Sequence, residues 1–198
     1  PAGAVRVDAN GRWDVDTAVA AIRELDRAAG GLEYVEQPCH DVEQLAAVRR
    51  RVDVRIAADE SIRRAEDPLR VAVAGAADVA VLKVAPLGGV RRALAVAEAC
   101  GLPCVVSSAL ETSVGLAAEL ALAGALPELG FACGLGTRSL LCADVVDPAD
   151  ELVPRDGRLP VPRRAPEPVR RADVAADPQR AAWWRARLQR VSRLPDPR

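Results

Sequence analysis

The chain has 198 residues, half of them hydrophobic, yet only 3% are aromatic and the formal net charge is −1. That length suits one sizeable core, and the composition requires the core to be built from Ala, Val and Leu. A near-neutral chain sets up no field for nucleic acid or an anionic membrane, and no run is long enough to span a bilayer or shaped like a secretory signal. The five cysteines are odd in number and lack zinc-type spacing. Four fall within or beside apolar stretches, which predicts reduced, buried thiols in a cytoplasmic setting. No Met occurs and the chain opens P-A-G-A, which fits either removal of an initiator Met before Pro or a chain that lacks its front end. The sequence carries no signature of oligomeric state.

Taken in order, residues 4–8 read as a short strand that ends in the turn D-A-N-G. Residues 13–29 carry Val15, Ala18, Val19, Ile22 and Leu25 at near-helical spacing, with Asp14 or Asp16 as the cap. A second strand at 32–36 stops at Gln37-Pro38, and a helix follows over 42–51. A third strand, 54–58, ends in Asp59-Glu60-Ser61 and leads to a short helix at 68–74. The fourth, 79–84, contains Lys83 and ends in a Pro-Gly turn. A helix at 90–100, a fifth strand at 103–107, a helix at 113–125 and a sixth strand at 131–135 complete the alternation.

Each predicted strand is a run of apolar residues with little alternation, as parallel strands covered on both faces require. Strands that alternate with helices imply right-handed βαβ units. Asp8, Glu36, Asp59, Lys83 and Ser107 are spaced by 28, 23, 24 and 24 residues. This regular period, with a polar residue at every strand's C-terminal end, predicts an α/β chain whose first 147 residues form part of a (β/α) barrel, with its site at that end. A doubly wound sheet is the rival, but no G-x-G-x-x-G follows the first strand. From residue 148 the chain turns rich in Pro and Arg: an extended arm or hairpin is predicted over 148–168, and a basic amphipathic helix over 178–191. Trp183 and Trp184 among arginines invite a nucleic-acid or membrane role, but the expectation favoured here is a helix packed on the barrel.

Lys83 is the only lysine, although 27 residues are basic. An ammonium inside an apolar strand is costly unless something uses it, the ordinary alternative being a side chain that snorkels to solvent. Singly, an Asp or Glu at a strand end serves as a helix cap. Three in register, followed by Lys83 in the same place on the next strand, point to chemistry. Converging carboxylates repel one another, and a divalent cation such as Mg²⁺ removes that cost while leaving positions for water or substrate. A cation that faces a lysine makes a site for creating and stabilising a carbanion.

The motifs V-R-V-D-A-N-G, Y-V-E-Q-P, I-A-A-D-E-S, L-K-V-A-P-L-G-G and S-S-A-L-E-T-S-V-G run from residue 5 to residue 115, within a match that covers about residues 5–135. In this order and spacing they resemble the muconate-lactonising subgroup of the enolase superfamily, and within it the actinobacterial o-succinylbenzoate synthases. The resemblance implies that Asp8, Glu36 and Asp59 bind Mg²⁺, with Mn²⁺ as an alternative, and that Lys83 is one of two acid/base lysines on opposite faces of a small carboxylate substrate. Asn10 and Glu60 would hold these groups by hydrogen bonds. Ser107 and Ser108, with backbone at Gly134 and Gly136, would line the pocket. The implied reaction, a step of menaquinone biosynthesis, is a syn dehydration through a metal-held enediolate, in line with the general account of such sites.

Two related activities fit less well. Dipeptide epimerases of the superfamily carry Asp-x-Asp where this chain has Gly134-Leu135-Gly136, and racemases of the mandelate type need a His where Ser107 stands. The one histidine, His40, is predicted to lie at the surface or on the pocket rim. N-succinylamino acid racemase remains an alternative because the same groups serve it. The resemblance also implies an N-terminal capping domain and two barrel strands ahead of residue 5, the second bearing the partner of Lys83. The expectation is therefore the last six βα units of a barrel, and a non-catalytic barrel fragment is the third reading.

Overall fold

The computed structural model describes residues 3–63, 67–169 and 172–194. Five strands, β1 (Val5–Asp8), β2 (Leu32–Glu36), β3 (Ile56–Ala58), β4 (Val79–Leu82) and β5 (Cys104–Val106), form one all-parallel sheet in sequence order. Between and beyond them run α1 (Val15–Ala29), α2 (Val42–Arg49), α3 (Asp67–Val73), α4 (Val84–Leu87), α5 (Val90–Cys100), α6 (Ser113–Ala125) and α7 (Pro178–Val191). The start of α1 shows how local chemistry sets the boundaries. Asp14 caps it by accepting the Thr17 N–H at 2.7 Å, and Gly30, at φ 73°, ends it in the left-handed conformation that a side chain would resist.

Successive strand side chains point to opposite faces, so each strand feeds two cores. Val35, Ile56, Ala58, Ala80, Leu82 and Val106 pack beneath the helices against Ile22, Leu45 and Leu116. Tyr34, Ala57, Val79, Val81 and Val105 face the other way and form a smaller cluster with Phe131. Glu36, Asp59, Lys83 and Ser107 each lie two residues beyond a member of that inner cluster, so the same alternation aims them at the same concave face. The sheet curls enough for its two ends to touch. Arg6 of β1 donates to the Ala132 carbonyl at 2.7 Å and to Glu33 at 2.6 Å, and its guanidinium lies 4.7 Å over the Tyr34 ring, which meets Phe131 edge-on.

Three expectations are corrected. The sixth strand at 131–135 is a single parallel bridge, Ser107 to Gly134, because small and glycine residues there offer little to pack on either face. The fourth strand stops at Leu82, and the Pro-Gly turn is the short helix α4, with Lys83 as its N-cap residue. The predicted packing of α7 is not seen. It has no buried residue, and Trp183, Trp184 and Leu188 are at least half exposed. The arm does form a tight hairpin through paired Arg155 and Arg158 backbone bonds, and a Val146–Pro168 bridge closes its base. All five cysteines are free; three are buried, while Cys142 is exposed. No helix among the described residues is long and apolar enough to cross a membrane.

The segment after the bridge is stapled to α6 by a buried polar network. Asp144, fully buried, accepts from the Ser113 hydroxyl at 2.6 Å, the Ser113 N–H, the Val145 N–H at 2.7 Å and Arg138 Nε at 2.6 Å. Burial opposes its charge, but these donors outweigh it and hold the carboxyl below its usual range. A depressed folded pKa means that this stabilisation is present above the ordinary Asp value and is lost as the solution is acidified through the folded one. Asp144→Ala should therefore cost about 2–3 kcal/mol in urea unfolding at neutral pH, because it leaves the buried Ser113 N–H without its acceptor, although Arg138 keeps Glu151 at 2.9 Å. The gap between parent and variant should shrink below about pH 4.

Candidate active site

The expected polar residues arrive at one edge of the sheet because the strands are parallel and in register. Asp8 is paired with Glu36 across β1 and β2, and Glu36 is paired with Ala57, two residues before Asp59. Lys83 follows the last residue of β4, and Ser107 follows β5. All five therefore sit at C-terminal strand ends, the place where a (β/α) barrel builds its site.

The centre of the arrangement is the Lys83 ammonium, which donates to Asp59 Oδ2 and lies 3.6 Å from Glu36 Oε1. Asp59 is 1% exposed, a burial a carboxylate reaches only with partners. Arg63 supplies the second one, donating to both Asp59 oxygens at 3.3 and 2.8 Å. Burial alone would depress the Lys83 pKa, but its bond to Asp59 and the attraction of Glu36 outweigh burial and raise it. Glu36 goes the other way. Burial first, then the Asp8 charge beside it, pushes its pKa up to about 7 against the pull of Lys83. Glu36, Asp59 and Lys83 are thus brought into contact, with Asp8 close enough to be felt. Among the described residues the acidic groups do not close into a ready-made metal cage, since Arg63 and Lys83 occupy the Asp59 oxygens.

Asn10 sits where its motif suggests, holding Asp8 through its amide at 2.7 Å and its backbone N–H at 2.9 Å. Its φ of 46° fits the turn that brings the side chain back. Glu60 is a correction, for it reaches neither the other carboxylates nor Lys83. One oxygen accepts from Arg63 at 3.3 Å and the other is buried without a partner. The residues expected to line the pocket lie close together, and their hydroxyls are largely committed. Ser108 donates to the Gly134 carbonyl at 3.1 Å and meets the Thr137 hydroxyl at 2.6 Å. Ser107 lies 3.5 Å from the same carbonyl, and the Gly136 carbonyl accepts from the Ser139 hydroxyl at 2.8 Å. A side chain at Gly134 would put its Cβ 2.9 Å from Ser107 Oγ, so an Asp-x-Asp pair here would require the Ser107 hydroxyl to turn away. His40 is exposed and pairs with Asp41.

Sequence reasoning missed Gln37 and Arg63. Gln37 reads as a strand stop, yet it is fully buried and laces β2 to the end of β3. Its carbonyl accepts the Asp59 and Ser61 N–H groups at 3.0 and 3.3 Å, and its amide donates to Cys39 O and Ser61 Oγ. The available signal was a polar residue between an apolar strand and a proline, at a position that the structure holds at φ 38°. Arg63 is one of many arginines and nothing in its spacing marks it.

The family model for enolase C-terminal domain-like proteins matches residues 1–166. Over 204 residues, all of this chain and 62% of the relative, the chain is 63% identical to a protein of Thermobifida fusca (strain YX) named o-succinylbenzoate synthase. It is 60% identical over 180 residues, 91% of this chain, to a protein of the same name from Mycolicibacterium smegmatis (strain ATCC 700084 / mc(2)155), of which 55% is covered. The chain thus spans about three fifths of the length of these relatives. Among solved structures, the muconate lactonizing enzyme of Pseudomonas putida superposes with a TM-score of 0.73 at 32% identity, over 83% of this chain and 46% of that one.

Gln37→Leu keeps the volume but orphans the buried Asp59 and Ser61 N–H groups. It should lower stability by about 2–4 kcal/mol in urea unfolding, whereas His40→Ala should leave the midpoint unchanged.

Proposed function

Because this chain belongs to the enolase C-terminal domain-like family, we propose that it forms the metal-binding and base-bearing part of an o-succinylbenzoate synthase. The protein would be a cytoplasmic lyase that dehydrates 2-succinyl-6-hydroxy-2,4-cyclohexadiene-1-carboxylate to 2-succinylbenzoate in menaquinone biosynthesis. One observation carries the reading: a single lysine held against two carboxylates at the C-terminal ends of adjacent parallel strands. The shared name of the bacterial relatives supports the choice of reaction.

Asp8, Glu36 and Asp59 offer hard oxygen donors only, the set that Mg²⁺ or Mn²⁺ prefers. The crowding that lifts the Glu36 pKa, with Asp8 as its largest charge contribution, is the repulsion a divalent cation relieves, so the residues fit the metal. Bound there, the cation would supply positive charge to the substrate carboxylate as its α-carbon is deprotonated. The chain's own groups do the rest. Lys83 moves a proton at the α-carbon on one face of the substrate, and Asp59 and Glu36 hold its ammonium in place between turnovers. Asn10 orients the Asp8 carboxylate, and Gln37 fixes the backbone from which Asp59 projects.

The family chemistry calls for a second lysine, and this chain has only Lys83. The 198 residues by themselves should therefore bind Mg²⁺ but give no turnover. In the complete protein, Lys83→Ala should abolish dehydration and leave Mg²⁺ affinity by titration calorimetry within about threefold; retention of about a tenth or more of the parent rate would falsify the assignment. Assaying the same protein with an N-succinylamino acid separates the alternative, since racemisation without dehydration would replace synthase by racemase.

A further inference from the structure

Glu119 is the one charged residue in α6, and it is fully buried. Such a group is retained only where it satisfies something. Its Oε1 accepts the Val84 N–H at 2.8 Å, while its Oε2 is buried with no hydrogen-bond partner. Val84 is the first residue of α4, and Lys83, its N-cap residue, makes no side-chain cap. The first N–H of a helix has no partner within that helix, and this one is sealed from water. Glu119 supplies the acceptor from a neighbouring helix.

The direction of the Val84 N–H is set by ψ of Lys83, here 117° with φ −126°. Fixing that N–H therefore fixes the peptide plane from which the lysine side chain departs. We propose that Glu119 is the positioning residue for Lys83: by capping α4 from outside, it locks the 83–84 peptide and so holds the ammonium between Asp59 and Glu36. Burial pushes the Glu119 carboxyl up to about 8, so at neutral pH it works chiefly as an uncharged acceptor. An amide therefore replaces it. The inference rests on the assignment of Lys83 as an acid/base group, but its geometry can be tested separately.

The sole lysine makes that test clean. Reductive methylation of the 198-residue chain with ¹³C-formaldehyde gives one lysine signal, from Lys83, distinct from that of the terminal proline. Glu119→Leu should shift this signal and Glu119→Gln should not. In the complete enzyme, Glu119→Leu should lower kcat about tenfold or more with KM changed by less than about threefold, and Glu119→Gln should stay within about twofold of the parent. A second variant isolates the cause. Val84→Pro removes the N–H that needs capping, and it suits both the first helical position and the extended Lys83 before it. In the Val84→Pro background, Glu119→Leu should restore the parental Lys83 signal. A folded Glu119→Leu chain with an unmoved signal, or a defect that persists in the Val84→Pro background, overturns the proposal. If Glu119→Leu fails to fold, the double variant decides: folding with the parental signal supports the role, and failure of both overturns it. A Lys83→Ala enzyme that stays active would sink the acid/base assignment, while the methyl-signal results on the Glu119 variants would still decide the geometry.

Discussion

Lys83 and Asp59 meet across the gap between β4 and β3, and neither could stand at that depth without the other. Asp59 is almost wholly buried, and the Lys83 ammonium and the Arg63 guanidinium both face it. That need orders the surroundings. Gln37 must hold the Asp59 backbone, Glu119 must hold the peptide after Lys83, and β3 and β4 must keep their register, or a buried charge loses its partner. The parallel sheet makes the arrangement attainable. Its faces are committed to apolar packing, which leaves the strand ends as the place where polar groups can gather.

The strand ends are crowded, and the crowding is graded. Asp8 is on the outer strand and exposed; Glu36, one strand in, is buried and feels Asp8 as a like charge. Asp59, one strand further, is buried but fully paired. Three carboxylates that look equivalent along the chain thus occupy three different electrostatic environments, and the one least satisfied is Glu36. A cation arriving from the open side would meet Asp8 first and relieve Glu36 most.

Most of the fold was legible because apolar runs of fixed period constrain the chain strongly. The bounds of α5 and α6 agree with the periodic stretches at 90–100 and 113–125. The site was partly legible for a different reason: Lys83 is unique, and Asp8, Glu36 and Asp59 recur at nearly its spacing. What escaped were residues whose work depends on three-dimensional neighbours. Glu119 is a lone acid in L-A-A-E-L-A-L, but the N–H it serves is 35 residues away. Gln37 passes for punctuation, and Arg63 is hidden among many arginines. The segment 131–135 has strand-like residues at its start, yet glycine at 134 and 136 gives up most of the side-chain contact that sustains a strand. In α7 the apolar spacing was read correctly as a helix, but spacing does not say whether another surface is there to receive it.

The contact between Arg6 and the Ala132 carbonyl has a consequence for the order in which the molecule assembles. The two residues are 126 positions apart, so the closure cannot form until the segment around Ala132 has left the ribosome. Among the described strands β1, which carries Asp8, is hydrogen-bonded to β2 alone, so until then one of its edges has no partner in this sheet. The nearest-neighbour strand order keeps every other pairing local, with each βα unit able to add to the one before it. Synthesis therefore runs from β1 outward while completion of the concave face waits for the segment around Phe131. The carboxylate nearest the open edge is the first made and among the last to be fixed.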